Sequence, residues 1–257
     1  MLYQAKQYLK FLKKSTNQHG VHSPFVYNLV TKCLYNKAKL EDYRTLSQHR
    51  EKLYQNNTII SVTDFGAGSR IFKTNQRQVS KIAKTAGITK KRAQLLYRIA
   101  NYFQTKNSLE LGTSLGLATT ALSLGNKNGN IITIEGCPET GKIAKQQFEA
   151  FHIKNIDLKI NDFKTELTAI KNQKFDLIYI DGNHQEEATL NYFKTLLHNV
   201  HNDSVIIFDD IHWSQQMTKA WSLIQKHPKV TVTIDTFFWG FVFFRKEQEK
   251  EHFTIRL

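Results

Sequence analysis

Short runs of β-branched and aromatic residues alternate with helical stretches along the chain from about Asn107 onward. Seven runs predict strands, at residues 108–111, 131–134, 156–160, 175–180, 205–208, 230–234 and 241–244. Helical periodicity is found between them, at residues 118–124, 142–151, 186–200 and 217–224. This alternation is typical of a mostly parallel sheet covered by helices. About half a dozen residues separate the last two runs, too few for a crossover helix, so we expect these two strands to pair antiparallel.

The first hundred residues follow a different pattern. Residues 3–12 and 26–34 have helical periodicity, and residues 58–63 read as a short strand. Thr89 is a candidate N-cap for a helix whose apolar residues recur at helical spacing up to Phe103. We therefore expect a mainly helical accessory region over residues 1–106 and a catalytic domain over residues 107–257.

Composition limits the possible partners. The formal net charge is +14, but lysines and arginines are spread along the whole chain, so the charge favours an anionic partner without indicating a dedicated nucleic-acid surface. No apolar run approaches the roughly 18 residues that span a bilayer. The two cysteines, Cys33 and Cys137, lie far apart and have no metal-ligand spacing. We expect a cytoplasmic protein with no membrane span and no cleaved signal.

A glycine-rich turn follows the first strand of the predicted sheet. Glu110 is followed there by Gly112, Ser114 and Gly116, and glycines at a strand-to-helix turn let the backbone approach a ligand closely. About twenty residues later the next strand ends in Glu135, where a carboxylate can accept hydrogen bonds from a ribose diol. A nicotinamide dehydrogenase would show GxGxxG, and this turn lacks the middle glycine that makes room for a pyrophosphate. The turn therefore disfavours a pyrophosphate cofactor, and a plain tight turn is the alternative.

A second glycine-rich segment covers residues 64–70. The residues that follow it, up to Gly87, include no acidic residue and no second strand to carry one, so we reject this segment as the cofactor site. Two interpretations stay open. One is a substrate-facing lid in which Ser69 and Arg70 bind an anion, and the other is a plain turn.

Polar residues follow two neighbouring strands of the predicted sheet. Asp181 and His184 come after the strand at 175–180, and Asp209 and Asp210 come after the strand at 205–208. Open α/β sheets carry their chemistry at the carboxyl ends of strands, so we expect these three carboxylates to converge. Clustered carboxylates need compensation, which a hard divalent cation such as Mg²⁺ or Mn²⁺ supplies. The alternative is a metal-free enzyme in which Asp181 orients the substrate.

Together these segments resemble the motifs of class I, Rossmann-like S-adenosylmethionine-dependent methyltransferases. The segment ELGTSLG is similar to their first motif, and Glu135 matches the acidic end of the second. Asp162 matches an acidic residue that family members place near the adenine amino group, although a helix N-cap is its alternative role. The resemblance covers residues 107–257 and implies a set of cofactor-binding residues: Glu110, Gly112, Ser114, Gly116, Glu135, Asp162 and Asp181.

The strand ends after 180 and 208 resemble those of the metal-dependent O-methyltransferases of the catechol type and of the DGxH type. In the catechol type, an Asp after the fourth strand and an Asp-Asn pair after the fifth hold the metal. The resemblance therefore implies that the metal ligands here are Asp181, Asp209 and Asp210, with Asp210 departing from the pattern as Asp in place of Asn. The catalytic lysine of that type corresponds to His184, which is a better base near neutral pH.

These expectations combine into one hypothesis. The chain is expected to be an α/β protein with a seven-stranded, mostly parallel Rossmann-like sheet that methylates a hydroxyl of a small molecule, with His184 and Asp181 as catalytic residues and with metal assistance. Two other functions stay open. The positive charge favours a tRNA or rRNA methyltransferase, although no RNA-binding module is recognisable. A non-catalytic binding protein could also keep this fold. The sequence indicates neither the substrate nor the oligomeric state.

Overall fold

The computed structural model describes residues 2–38, 40–66, 68 and 72–257. Within these ranges the α-helices are Leu2–Lys14 (α1), Pro24–Leu29 (α2), Tyr43–Tyr54 (α3), Val79–Thr85 (α4), Lys90–Phe103 (α5), Leu117–Gly125 (α6), Pro138–Ala150 (α7), Phe163–Ala169 (α8), Glu186–Leu196 (α9) and Gln215–Lys226 (α10). The strands are Ile59–Ser61 (β1), Gln76–Gln78 (β2), Asn107–Leu111 (β3), Asn130–Glu135 (β4), Ile156–Ile160 (β5), Leu177–Ile180 (β6), Val205–Asp209 (β7), Val232–Asp235 (β8), Trp239–Phe243 (β9) and Glu251–Thr254 (β10). A 3-10 turn, Gln18–Gly20, precedes α2, and a π-helical turn, Val30–Leu34, follows it.

The chain divides into two compact units. One unit comprises Met1–Asn36 and Ile170–Leu257, and the other comprises Lys37–Ala169. The N-terminal helices α1 and α2 therefore belong to the same unit as the C-terminal strands. This division does not coincide with the boundary between residues 106 and 107 that we expect from the sequence, and the accessory role of residues 1–106 stays a prediction.

In the unit Lys37–Ala169, the strands β3, β4 and β5 pair in parallel in that order. The register places Glu110 of β3 opposite Thr133 of β4. Helix α5 packs on α6 and begins after Thr89, whose hydroxyl accepts a hydrogen bond from the Arg92 N–H at 3.3 Å. The predicted N-cap is therefore confirmed. Strands β1 and β2 form a separate antiparallel pair.

In the unit of Met1–Asn36 and Ile170–Leu257, the strand order is β10-β8-β9-β7-β6. Strands β6 and β7 are parallel, and every residue of both is buried, as expected for strands covered on both faces. Strand β9 pairs antiparallel with both β7 and β8, which confirms the predicted C-terminal antiparallel pair. Strand β10 extends this group parallel to β8. It was not predicted, because Phe253 is its only buried residue and the sequence around it is polar.

All seven predicted strands are present among the described residues. The helices α3, α4 and α8 were not predicted. In α3 the reason is that two polar side chains, His49 and Arg50, face inward with Leu46 and Leu53, so the apolar periodicity is weak. The buried Arg50 guanidinium donates a hydrogen bond to the Ile88 carbonyl at 2.6 Å. No helix in the described part of the chain is long and apolar enough to cross a membrane.

His49 makes the stability of the fold sensitive to acid. Its side chain is 1% exposed, and neither ring nitrogen has a hydrogen-bond partner among the described residues. Burial, followed by the charges of Arg50 and Lys52, lowers the pKa of His49 from 6.5 to about 3. The unfolded chain therefore binds a proton that the folded chain excludes, and stability falls as pH drops below 6.5, until it levels off near the folded pKa.

We expect wild-type protein to lose about 2 kcal/mol of unfolding free energy between pH 7 and pH 5 through this group alone. In the His49→Phe variant an apolar ring replaces the imidazole beside Phe151, so this part of the pH dependence should disappear. Urea denaturation of both proteins at the two pH values measures the difference. Equal pH dependence in both proteins would show that His49 is protonated in the folded state.

Candidate active site

Three residues of the turn after β3 have positive φ angles, and two of them are glycines. Gly112, Ser114 and Gly116 have φ angles of 105°, 49° and 80°, in the left-handed region that favours glycine. The Gly112 N–H donates to the Ile134 carbonyl at 3.0 Å, which ties the turn to β4. A Cβ at Gly116 would approach the ring of Phe148 to 2.5 Å. Glycine at 116 therefore allows both the backbone conformation and the close packing of the turn on α7.

Glu135 at the end of β4 closes this turn. Its Oε2 accepts a hydrogen bond from the Ser114 N–H at 2.7 Å, and its Oε1 accepts one from the Cys137 N–H at 2.8 Å. Burial raises the pKa of Glu135, and these backbone donors oppose the shift. The Thr140 hydroxyl and the Gly136 N–H also lower the pKa of Glu135 by hydrogen bonding. Its contact with a ribose stays a prediction.

Glu110 lies fully buried in β3. Its Oε2 accepts hydrogen bonds from the hydroxyls of Thr119 and Thr133, both at 2.5 Å. Burial raises the pKa of Glu110 to about 7. Its Oε1 has no hydrogen-bond partner in the described part of the chain, and a buried acceptor without a donor is costly. These threonine contacts cannot be predicted from the sequence, because the pairing of Thr133 with Glu110 depends on the strand register.

Asp162 lies at the surface and caps α8. Its Oδ1 accepts a hydrogen bond from the Thr165 N–H at 2.9 Å, and its Oδ2 accepts one from the Thr165 hydroxyl at 2.6 Å. The Thr165 hydroxyl and then the Thr165 N–H lower the pKa of Asp162. The N-cap role is therefore confirmed, and a contact with adenine stays a prediction.

The segment 64–70 is described only in part, and Ser69 and Arg70 lie outside the described residues. Within the described part, Asp64 accepts a hydrogen bond from the Gly66 N–H at 3.2 Å and pairs with the Arg77 guanidinium at 3.2 Å. These local bonds agree with a turn at Asp64, and the anion-binding lid stays a prediction.

Asp181 and His184 follow β6. The His184 Nε2 lies 3.6 Å from the Asp181 Oδ1, and the Tyr179 hydroxyl donates to the Asp181 Oδ2 at 3.3 Å. Burial lowers the pKa of His184, against the opposing charge of Asp209. Asn183, between them, has a φ of 53°. The segment therefore turns back sharply and presents a neutral imidazole beside a carboxylate.

Asp209 is the last residue of β7 and is 7% exposed. Ile180 pairs with Phe208 in the parallel register of β6 and β7, so Asp181 and Asp209 occupy corresponding positions one residue later. Asp210 follows with a φ of 53°. Among the described residues, no group of three His, Cys, Asp or Glu side chains is arranged to hold a metal ion. The structure places Asp181, His184 and Asp209 at the carboxyl ends of the adjacent strands β6 and β7. In the described part of the chain it does not arrange the three predicted carboxylates as a metal site.

A second histidine, His212, follows β7, and both of its ring nitrogens contact other side chains. The His212 Nε2 lies 2.8 Å from the Asp235 Oδ2, and its Nδ1 lies 3.3 Å from the Thr218 hydroxyl. The ring also stacks on Phe237 at 5.4 Å between centroids. His212 thus fixes the segment after β7 against β8, a role that depends on tertiary contacts.

Comparison with known protein families finds a match whose residue range includes both groups of residues. Residues 109–211 match a protein family described as a methyltransferase domain. A search of curated proteins finds no match to the sequence.

Similar solved structures include three methyltransferases. An S-adenosylhomocysteine-bound methyltransferase from Podospora anserina has 15% sequence identity and a TM-score of 0.63, over 88% of this chain and 97% of that one. An O-methyltransferase from Bacillus cereus, solved with S-adenosylhomocysteine, has 18% identity and a TM-score of 0.56, over 85% and 96%. The O-methyltransferase TomG from Streptomyces achromogenes, solved with S-adenosylmethionine, has 13% identity and a TM-score of 0.56, over 90% and 99%.

These similarities show a shared fold, and the family match adds the class of domain. The match includes Glu110, Glu135, Asp181, His184 and Asp209. The predicted mixed α/β, Rossmann-like architecture is confirmed. Residues 109–211 therefore match a methyltransferase domain, and the chain has the fold of the similar methyltransferase structures.

Proposed function

We propose that this protein transfers the methyl group of S-adenosylmethionine to a hydroxyl oxygen of a small molecule. One observation carries the proposal: the turn closed by Glu135 and the pair Asp181–His184 both lie within residues 109–211, which match the methyltransferase domain. The choice of an oxygen acceptor draws support from two of the similar structures, which are O-methyltransferases.

The cofactor side of the proposal rests on the carboxyl groups of Glu110 and Glu135. Glu135, which holds the turn through the Ser114 and Cys137 N–H groups, accepts bonds from the ribose hydroxyls. Burial raises the pKa of Glu110 to about 7, and the cationic methionyl part favours its ionised form. Asp162, two residues after β5, contacts the adenine edge while it caps α8.

The transfer step needs one base and good alignment. The acceptor oxygen attacks the methyl carbon in line with the carbon–sulfur bond, and its proton passes to the His184 imidazole. The electron pair of the breaking bond stays on sulfur, so the sulfonium becomes a neutral thioether. Asp181 orients the acceptor hydroxyl and balances the charge of protonated His184 at 3.6 Å. Holding the reactants in line supplies a large part of the acceleration in such reactions.

At the carboxyl ends of β6 and β7, a divalent cation would be held by two carboxylates and several waters. A closed three-ligand cage is not present among the described residues. Mg²⁺, however, is commonly bound through one or two carboxylates while it keeps several waters. Asp181 and Asp209, at corresponding positions at the carboxyl ends of adjacent parallel strands, would supply these two carboxylates. The bound ion would lower the pKa of the acceptor hydroxyl. Asp210 remains a predicted third ligand.

The cofactor assignment predicts the effect of one substitution. In Glu135→Ala both the ribose acceptor and the bond to Ser114 are lost, and a charge-assisted hydrogen bond contributes about 1.5–3 kcal/mol, so affinity for S-adenosylhomocysteine should fall at least about tenfold. Glu139→Ala, which removes an exposed carboxylate one turn later that pairs with Lys142, is the matched control and should bind normally. Calorimetry with the wild type that detects NAD but not S-adenosylmethionine would overturn the assignment.

The acceptor class is tested by transfer of a labelled methyl group. Purified protein and labelled S-adenosylmethionine are incubated with separated RNA, protein, lipid and small-molecule fractions of the source cells. The label is expected in the small-molecule fraction and should disappear with the Asp181→Ala variant. Label confined to RNA would contradict the proposal and favour an RNA methyltransferase.

A further inference from the structure

Helix α1 is an unusually basic element that is attached to the fold along one side. Its sequence, LYQAKQYLKFLKK, contains four lysines and no acidic residue. Phe11 is its only buried residue and contacts the Phe237 ring at 5.6 Å between centroids, while Tyr8 contacts the same ring at 4.8 Å. After the helix, the Thr16 N–H donates to the Thr254 carbonyl at 2.9 Å. One side of the helix therefore packs on the protein, and its opposite side is exposed to solvent.

The outer side carries an apolar stripe. Leu2 is 91% exposed and Leu9 is 61% exposed, and the small residue between them, Ala5, is exposed as well. These residues are three, four and seven positions apart, so they share one helix face. At about 100° per residue, Lys6 and Lys13 lie within about 60° of Leu9 around the helix axis. Cations thus border a row of exposed leucines.

We propose that α1 is an interfacial helix that binds the surface of an anionic bilayer. Leu2, Ala5 and Leu9 enter the boundary between headgroups and acyl chains, and the lysines beside them contact lipid phosphates. Helices of this kind lie in the membrane plane and combine an apolar face with a lysine-rich polar face. A nucleic acid would satisfy the lysines but would offer no apolar phase for the leucines, so the stripe favours lipid.

Flotation of the full chain with vesicles tests the proposal. We expect binding to vesicles of phosphatidylcholine with one quarter phosphatidylglycerol, and little binding to pure phosphatidylcholine. Lysines near an anionic surface contribute about 1 kcal/mol each, so Lys6→Gln/Lys10→Gln/Lys13→Gln should weaken binding about a hundredfold. Leu2→Ser/Leu9→Ser keeps every charge and should weaken it at least about tenfold.

The matched control removes the same charge from another exposed surface, with Lys81→Gln/Lys90→Gln/Lys91→Gln, and should bind vesicles within about twofold of wild type. All substituted side chains are exposed, so circular dichroism and melting temperature should stay unchanged. An equal loss of vesicle binding in the control would show that net charge alone causes the binding, and would overturn the proposal. So would full vesicle binding by the leucine variant, or wild-type protein that binds single-stranded RNA through the α1 lysines and does not bind the anionic vesicles.

Discussion

Replacement of His184 by alanine is expected to lower kcat by about 10² to 10⁴, the range typical for loss of a general base. The reason lies in its surroundings. Burial lowers the pKa of His184, so the ring is neutral near pH 7, and Asp181 lies 3.6 Å away, where it balances the charge that the ring acquires when it accepts the proton. Because the imidazole is proposed to act on the acceptor and not on the cofactor, the affinity for S-adenosylhomocysteine should stay within about twofold of wild type.

Two measurements separate a base from a structural histidine. Added imidazole should restore part of the activity of His184→Ala, since a small base can occupy the space that the side chain leaves. The matched control is His201→Ala, which removes another histidine that contacts a carboxylate, with its Nε2 3.0 Å from the Asp176 Oδ1. This variant should keep normal kcat and show no rescue. An unimpaired kcat in His184→Ala would show that His184 is not the base, and alignment of the reactants would be the remaining source of catalysis.

Chelation is expected to abolish turnover and leave cofactor binding intact. The proposed ion would be held by Asp181, which follows β6, and by Asp209, the last residue of β7, whereas the proposed cofactor ligands Glu110 and Glu135 lie in β3 and β4. Excess EDTA should therefore reduce methyl transfer to background, and the affinity for S-adenosylhomocysteine measured by calorimetry should not change. Addition of Mg²⁺ or Mn²⁺ should restore the rate.

Asp209→Ala should shift the Mg²⁺ concentration for half-maximal activity upward by at least about tenfold, because a carboxylate ligand of the ion is lost. Asp157→Ala, which removes an exposed carboxylate that pairs with Lys159, is the matched control and should leave the metal requirement unchanged. Full activity in excess chelator would contradict the metal proposal and leave Asp181 as an orienting residue in a metal-free enzyme.

The family resemblance and the strands from β3 to β9 could be predicted from the sequence, because each depends on residues that are close together in the chain. The runs at β6 and β7 are continuous and apolar since both faces of these strands are covered, and this leaves a local signal. The same holds for the glycines at 112 and 116, which the left-handed turn requires. Sequence spacing also placed Asp181 and Asp209 after neighbouring strands, which the register of β6 and β7 confirms.

The contacts of these residues could not be predicted, because they depend on register and on packing between distant segments. The threonine partners of Glu110 follow from the pairing of β3 with β4 and from the position of α6. The helix α3 escaped prediction because it buries His49 and Arg50, and polar residues on an inward face weaken the apolar periodicity. Likewise, only the tertiary structure decided that α1 belongs with the C-terminal strands and faces outward with Leu2 and Leu9, since a helical period shows which residues share a face but not which face the core covers.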